Sequence, residues 1–211
     1  MRLLPWIALT LVGCTGGTVP SDLSAVEGAA EDGYDQALAG DREAFGTQAT
    51  LIAHAWDSLR SVVEADGAPE QTLTLMDSSV ASLATAATDA EGATVRARAA
   101  NAVSGCMDDL FTLYHPKIPS ELLELDYRGR EIILDALDVT LVGAITDVQV
   151  MDDFWGTLRG RVTRKDADVA SDFTQSLEDL RSARDSGDVL ATQDAANATL
   201  DQIDVIEDLF R

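Results

Sequence analysis

The stretch LDVTLVGAITDVQVMDDFWGTLRGRV, Leu137 to Val162, carries the plainest structural signal in the chain. Leu137, Leu141, Ile145, Val148, Met151, Trp155, Leu158 and Val162 recur every three or four residues, the interval that lines side chains along one face of an α-helix. The alternation of period two that a half-buried strand needs is missing. Working outward, the same interval appears on both sides. Leu38, Phe45, Ile52, Trp56, Leu59 and Val63 form one stripe, and Leu73, Met76, Val80, Leu83 and Ala87 a second. Val95, Ala99, Ala102, Cys106, Leu110 and Leu113 form a third. After the opening stretch come Val169, Phe173, Leu177 and Leu180, then Leu190, Ala196, Leu200, Ile203, Ile206 and Phe210. Breaks are expected at Asp66-Gly67-Ala68-Pro69, at 89–92 and at 185–188, where glycine or proline interrupts the pattern. His115-Pro116-Lys117-Ile118-Pro119 cannot be helical across both prolines and marks the centre of the chain, with Ser120 as an N-cap for the next helix.

The two sides of that centre resemble each other. Trp56-Asp57-Ser58-Leu59-Arg60 matches Trp155-Gly156-Thr157-Leu158-Arg159, and Asp109-Leu110-Phe111 matches Asp208-Leu209-Phe210, both at a spacing of about 99 residues. Ala99-Ala100-Asn101 echoes Ala195-Ala196-Asn197 with a small shift. The expected fold is therefore all-α: a helical bundle of two tandem three-helix repeats, residues 34–115 and 121–211, joined by a linker at 116–120 and related by a pseudo-twofold axis. One unit alone would leave an apolar face bare, so both should form a single bundle. At the repeat spacing Cys106 falls on Val205, Met107 on Ile206 and His54 on Asp153, which predicts core positions for the first two and an exposed position for His54. Trp56 and Trp155 read as matched core anchors.

Composition bounds the rest. With 46% apolar residues among 211 the chain can bury a real core. No apolar run reaches the roughly 18 residues of a membrane-spanning helix. Thirty-seven acids against fifteen bases give a net charge of −22, with Lys117 and Lys165 the only lysines. Such a surface repels nucleic acid and anionic headgroups and suits solubility in salt or a basic partner.

At the N-terminus Met1-Arg2 is followed by an apolar stretch, Leu3 to Val12, and by Leu11-Val12-Gly13-Cys14. This resembles the lipobox of bacterial lipoprotein signal peptides: an apolar residue, two smaller ones, then a cysteine. The resemblance covers the leader alone. It implies a signal peptide over 1–13, a diacylglyceryl group on the sulfur of Cys14, export, and a lipid anchor in the cell envelope; Thr15, in place of aspartate, implies the outer membrane if the organism has one. Residues 14–33, small and acidic, read as a flexible tether. With Cys14 lipidated, Cys106 is left without an intramolecular partner, as a buried thiol or an intermolecular handle. The mature part is similar to the broad group of helical-bundle lipoproteins and to no single family within it.

Reactive constellations are few. No Glu-x-x-His, Cys-x-x-Cys-His, Gly-x-Ser-x-Gly or phosphate-binding glycine loop occurs, so no catalytic residues and no cofactor are expected. The weak candidates for metal or haem ligation are His54, His115 and Met107, with Met76 and Met151 behind them. The acidic doublets at Asp108-Asp109 and Asp152-Asp153 lack the spacing of a calcium loop. Leu122 to Arg130, with Tyr127, Arg128 and Arg130, joins the halves and has no evident counterpart in the first. It reads either as a partner-docking ridge or as a structural strap paired with surrounding acids. The expected function is that of a membrane-anchored, non-catalytic envelope subunit docking a protein or serving as a structural accessory. The competing expectation is a carrier of a metal ion, non-covalent haem or small ligand inside the bundle.

Overall fold

The computed structural model describes residues 18–89 and 92–211, so the signal peptide, Cys14 and two residues of the 89–92 break lie outside the described residues. Among the described residues all regular structure is helical, in nine segments. The first half holds α1 (Ser21–Leu38), α2 (Arg42–Ala65), α3 (Glu70–Thr88), α4 (Ala93–Ser104) and the short α5 (Met107–Thr112), which comes after α4 and a turn at Gly105. The second holds α6 (Glu121–Leu137), α7 (Val142–Thr163), α8 (Ala167–Ser186) and α9 (Val189–Asp208).

Local chemistry sets the boundaries. The Asp41 carboxylate accepts from the Ala44 amide at 3.0 Å and opens α2; Asp166 and Asp188 do the same for α8 and α9. Gly67 and Gly187 close helices at φ +100° and +73°, a region costly for residues with a Cβ. Ser120 differs from expectation: it sits in helical backbone and its hydroxyl pairs with that of Thr112 at 2.8 Å instead of capping α6.

The composition of residues 14–33 suggests a tether, yet from Ser21 onward they are α1, which packs on α2 and α4. Leu23, Val26, Ala30, Tyr34 and Ala37 are buried along one face. Each half therefore has four principal helices in place of the three that the stripes predict. The order is the same in both: α1 lies on α2 and α4, α2 on α3, and α3 on α4; α6 lies on α7 and α9, α7 on α8, and α8 on α9. In this order α6, which carries Leu122–Arg130, takes the place that α1 takes in the first half.

Each half also closes its own apolar core. Phe45, Ile52, Trp56, Met76, Leu83 and Met107 belong to one cluster; Leu125, Met151, Trp155, Phe173, Leu180 and Ile206 belong to another. Burial of side chains this size contributes about 1.5–3 kcal/mol each. Of the second half, Leu134 joins the first cluster. Contrary to the expectation of one shared apolar interior, the halves meet where α4 and α5 touch α6. The two tryptophans occupy like surroundings: both are buried, and the Trp56 indole donates to Asp77 on α3 at 2.7 Å while that of Trp155 donates to Thr174 on α8 at 3.1 Å.

Three stripes are corrected, the last only at Leu190, which is 72% exposed at the start of α9. α6 ends at Leu137 and a turn at 138–141, with Val139 at φ +56°, separates it from α7, so Leu137 and Ile145 (60% exposed) face outward and Ala144 and Asp147 are buried instead. On α4 the buried face runs through Arg96, Ala97, Ala100, Asn101, Val103 and Ser104, rotated from the expected one, and Val95 is exposed.

Candidate functional site

Polar side chains lace the joint between the halves around Leu134 and Leu123 of α6, which pack on the first core. Asn101 on α4 donates through Nδ2 to the Tyr127 carbonyl at 3.0 Å and to Glu131 at 2.8 Å. Arg98, also on α4, pairs with Glu131, with Asp135 at 3.1 Å and with Asp138 at 3.1 Å. Gly105 lies against the Tyr127 ring; a Cβ there would come within 2.9 Å of it.

The three residues singled out on the joining segment are all held in place. Tyr127 covers Gly105, with the Arg128 guanidinium 4.7 Å from its ring centre. Arg128 donates to Glu124 and Asp147, each at 2.8 Å. The Arg130 side chain is 12% exposed and crosses the joint, with Nη2 donating to Glu31 of α1 at 2.7 Å and to Asp126 at 3.3 Å. Its guanidinium also lies 5.6 Å from the Tyr34 ring centre. Burial works against the Arg130 charge, but Asp126 and Glu31 outweigh it and hold its pKa above the ordinary range.

Around this cation sits a surplus of acid that sequence reasoning missed. Glu27 of α1 is 7% exposed, and neither carboxylate oxygen has a hydrogen-bond partner. Burial, and then the nearby Glu31, push it up to about 8; Arg130 offsets only part of that. The Ser104 hydroxyl lowers the value slightly by proximity, yet it too completes no hydrogen bond. Asp126, equally buried, is pushed up to about 7 by burial against the pull of Arg130, with Glu31, Glu207 and Asp204 adding to the rise. Glu27 and Asp126 stand about 99 residues apart, on α1 and α6, the helices that take the same place in the contact order of each half.

Two open clefts flank the cluster. The larger, about 770 Å³, lies between α1, α6 and α9. It is lined by seven carboxylates, three from α1 (Glu31, Asp32, Asp35), Asp126 of α6 and three from α9 (Asp201, Asp204, Glu207), against Arg130 and Arg211. The smaller, about 530 Å³, lies between α1, the 116–120 linker and the chain's end, and its lining is mostly apolar: Val19, Phe111, Ile118, Leu123 and Phe210, with Glu27 among them. Glu31, Glu207 and Arg211 line both clefts, so the two share a wall.

The weak metal candidates fall in different settings. His54 is exposed on α2, as its match to Asp153 predicts, and Met107 is buried in the first core. His115, at φ +48°, lines a third hollow with Asp108, Glu121 and Arg161. Among the described residues no three His, Cys, Asp or Glu side chains form a group able to hold a metal ion. Cys106 is buried as expected, though its counterpart Val205 is exposed; burial pushes the thiol up to about 11, which leaves little thiolate for exchange. Asp152 pairs with Arg181 at 2.6 Å, tying α7 to α8.

No described helix is long and apolar enough to cross a membrane. Comparison with protein-family models, with curated proteins and with solved structures finds no match to this chain.

Proposed function

We propose that the protein is a lipid-anchored, non-catalytic module of the cell envelope, held through Cys14 and docking a basic segment of an envelope protein on the acidic cleft between α1, α6 and α9. The observation that carries the reading is the seven-to-two excess of carboxylates over guanidiniums in one concave surface. Its rim acids are exposed, so they would add to encounter rate and selectivity more than to raw affinity. The lipobox-like Leu11-Val12-Gly13-Cys14 supports the anchor. Helix α1 begins seven residues after Cys14, so the chain between them spans at most about 25 Å and would keep the cleft near the bilayer. The matched tryptophans and the common helix order support the reading of the halves as copies of one unit about a pseudo-twofold axis.

Co-purification from native membranes tests the docking. A partner should be recovered with the wild-type protein at low salt and lost with the Asp35→Lys/Asp201→Lys/Asp204→Lys variant. A protein reproducibly recovered alone overturns it. The anchor is tested separately by labelling with a radioactive fatty acid: incorporation should vanish in Cys14→Ser, and an unlabelled wild-type protein removes the lipid from the proposal.

A further inference from the structure

An ionised carboxylate buried without a partner is costly, and proteins place one where a counter-charge arrives or where the group stays neutral. Glu27 is such a group. It is nine-tenths buried and unpartnered at both oxygens, and it lines a cleft whose other walls are largely aliphatic and aromatic. Arg130, whose charge reaches Glu27, is held at Nη2 by Glu31 and Asp126 and gives Glu27 no hydrogen bond. We infer that the cleft between α1, the 116–120 linker and the C-terminal end is a binding site for a small aliphatic amine. Its ammonium sits against Glu27, and its alkyl chain lies along Val19, Phe111, Ile118, Leu123 and Phe210.

Charge and shape both favour this ligand class. Glu31 and Glu207 stand on the wall shared with the acidic cleft, so the cation end has further negative charge behind it, whereas a fatty acid carboxylate would face three acids. Of the cleft's own cations, Arg211 is paired with Glu207 and Asp208, and Lys117 stands on the linker. A volume of about 530 Å³ holds a short alkyl chain with room to spare. Gly28, beside Glu27 on α1, also lines the cleft, and a Cβ there would meet no atom within 4 Å.

Binding carries a proton signature. Below about pH 8 Glu27 is neutral, and an arriving ammonium would displace its proton. The groups that set this are Glu31 on α1, Arg130 and Asp126 on α6 and Ser104 on α4, with Glu207 and Arg211 from α9 and the chain's end and Lys117 from the linker. The ammonium itself, like that of lysine, stays charged across this range.

The site is independent of lipidation and of docking on the larger cleft, and its test separates them. The full chain in phosphatidylcholine nanodiscs is titrated calorimetrically with n-hexylammonium, n-hexanol and n-hexanoate, with empty nanodiscs subtracted. Hexylammonium should bind tenfold or more tighter than the other two, release protons at pH 7, and bind more tightly at pH 9 than at pH 6. Glu27→Gln should lose at least tenfold of that affinity, as should Gly28→Leu, which fills the cleft from an open helical position. Equal binding of hexanol, or unchanged affinity in Glu27→Gln, overturns the inference. If Glu27→Gln loses its helical circular dichroism, an unchanged affinity in Gly28→Leu overturns it alone.

Discussion

At the scale of single residues, Glu27, Asp126 and Arg130 make the molecule sensitive to pH. Both acids have folded pKa values raised above the ordinary carboxylate range, to about 8 and about 7. The folded state thus keeps protons that the unfolded chain releases, and the stability they contribute is present below about pH 4 and lost as pH rises through about 7 to 8. Glu124, Glu131 and Asp147 shift in the same direction, chiefly through burial, while the half-buried Asp77 shifts in the opposite one, its burial outweighed by hydrogen bonds from Trp56 and Arg60. Thermal unfolding should therefore show a higher melting temperature at pH 5 than at pH 8, and Glu27→Gln should narrow the gap. A melting temperature that rises from pH 5 to pH 8 contradicts this account. Arg130→Ala strands Glu31 and Asp126 without their cation and should cost about 3–5 kcal/mol in urea denaturation. That Arg130 pairs with surrounding acids is legible in the sequence, but which acids are buried is not, because in a chain with 37 acids no single one stands out. The one local signal is that Glu27 shares a helical face with Leu23, Ala30 and Tyr34, and Asp126 shares one with Leu122 and Gly129.

At the scale of elements, α1 is where sequence and structure part most widely. Its buried face is built from Ala29, Ala30, Gly33 and Ala37 as much as from Leu23 and Val26. Small side chains bring helices close, and Gly33 sits within 3.5 Å, by its would-be Cβ, of Ala100 on α4. The same small, acidic composition is what a flexible tether would have, so composition cannot separate the two. Leu23→Ala separates them: within a packed helix it should cost about 2–5 kcal/mol in urea denaturation, and within a tether nothing. The α4 face escapes periodicity because alanine marks no side, and the residues that do, Arg96 and Asn101, are polar and buried. Gly105→Ala should destabilise by about 1–3 kcal/mol, since the Tyr127 ring it meets cannot swing aside as an aliphatic tip would. A neutral result by thermal melting would mean that α4 and α6 pack more loosely than this contact requires. By contrast, the tryptophan anchors and the breaks at Asp66–Pro69 and 185–188 are legible, because bulk and glycine punctuation are strong local signals.

At the scale of the whole molecule, periodicity yields the helical class but not the partition of the interior. The stripes say that each helix has an apolar side and leave open whose apolar side it meets. Each set of four closes on itself save for Leu134 and Leu123 of α6, which pack on the first core, and the polar contacts between the sets are Arg98 with its three acids, Arg130 with Glu31, and the amide of Asn101. Contacts of that kind fix geometry more than they add stability, since removing charges from water offsets much of their attraction. With the seam weakened in Arg130→Ala, calorimetry at pH 8 should resolve two partly separate transitions in place of one, and a van't Hoff enthalpy equal to the calorimetric enthalpy would exclude that.

The seam of opposite charges means that this molecule has two different modes of failure. Heat and denaturant attack the greasy interiors, but alkali and strong brine attack the join, leaving two intact lobes on a short strap. Each lobe would then expose a strip of unmatched ions where its sister had been, a surface complementary to the other lobe of a second copy.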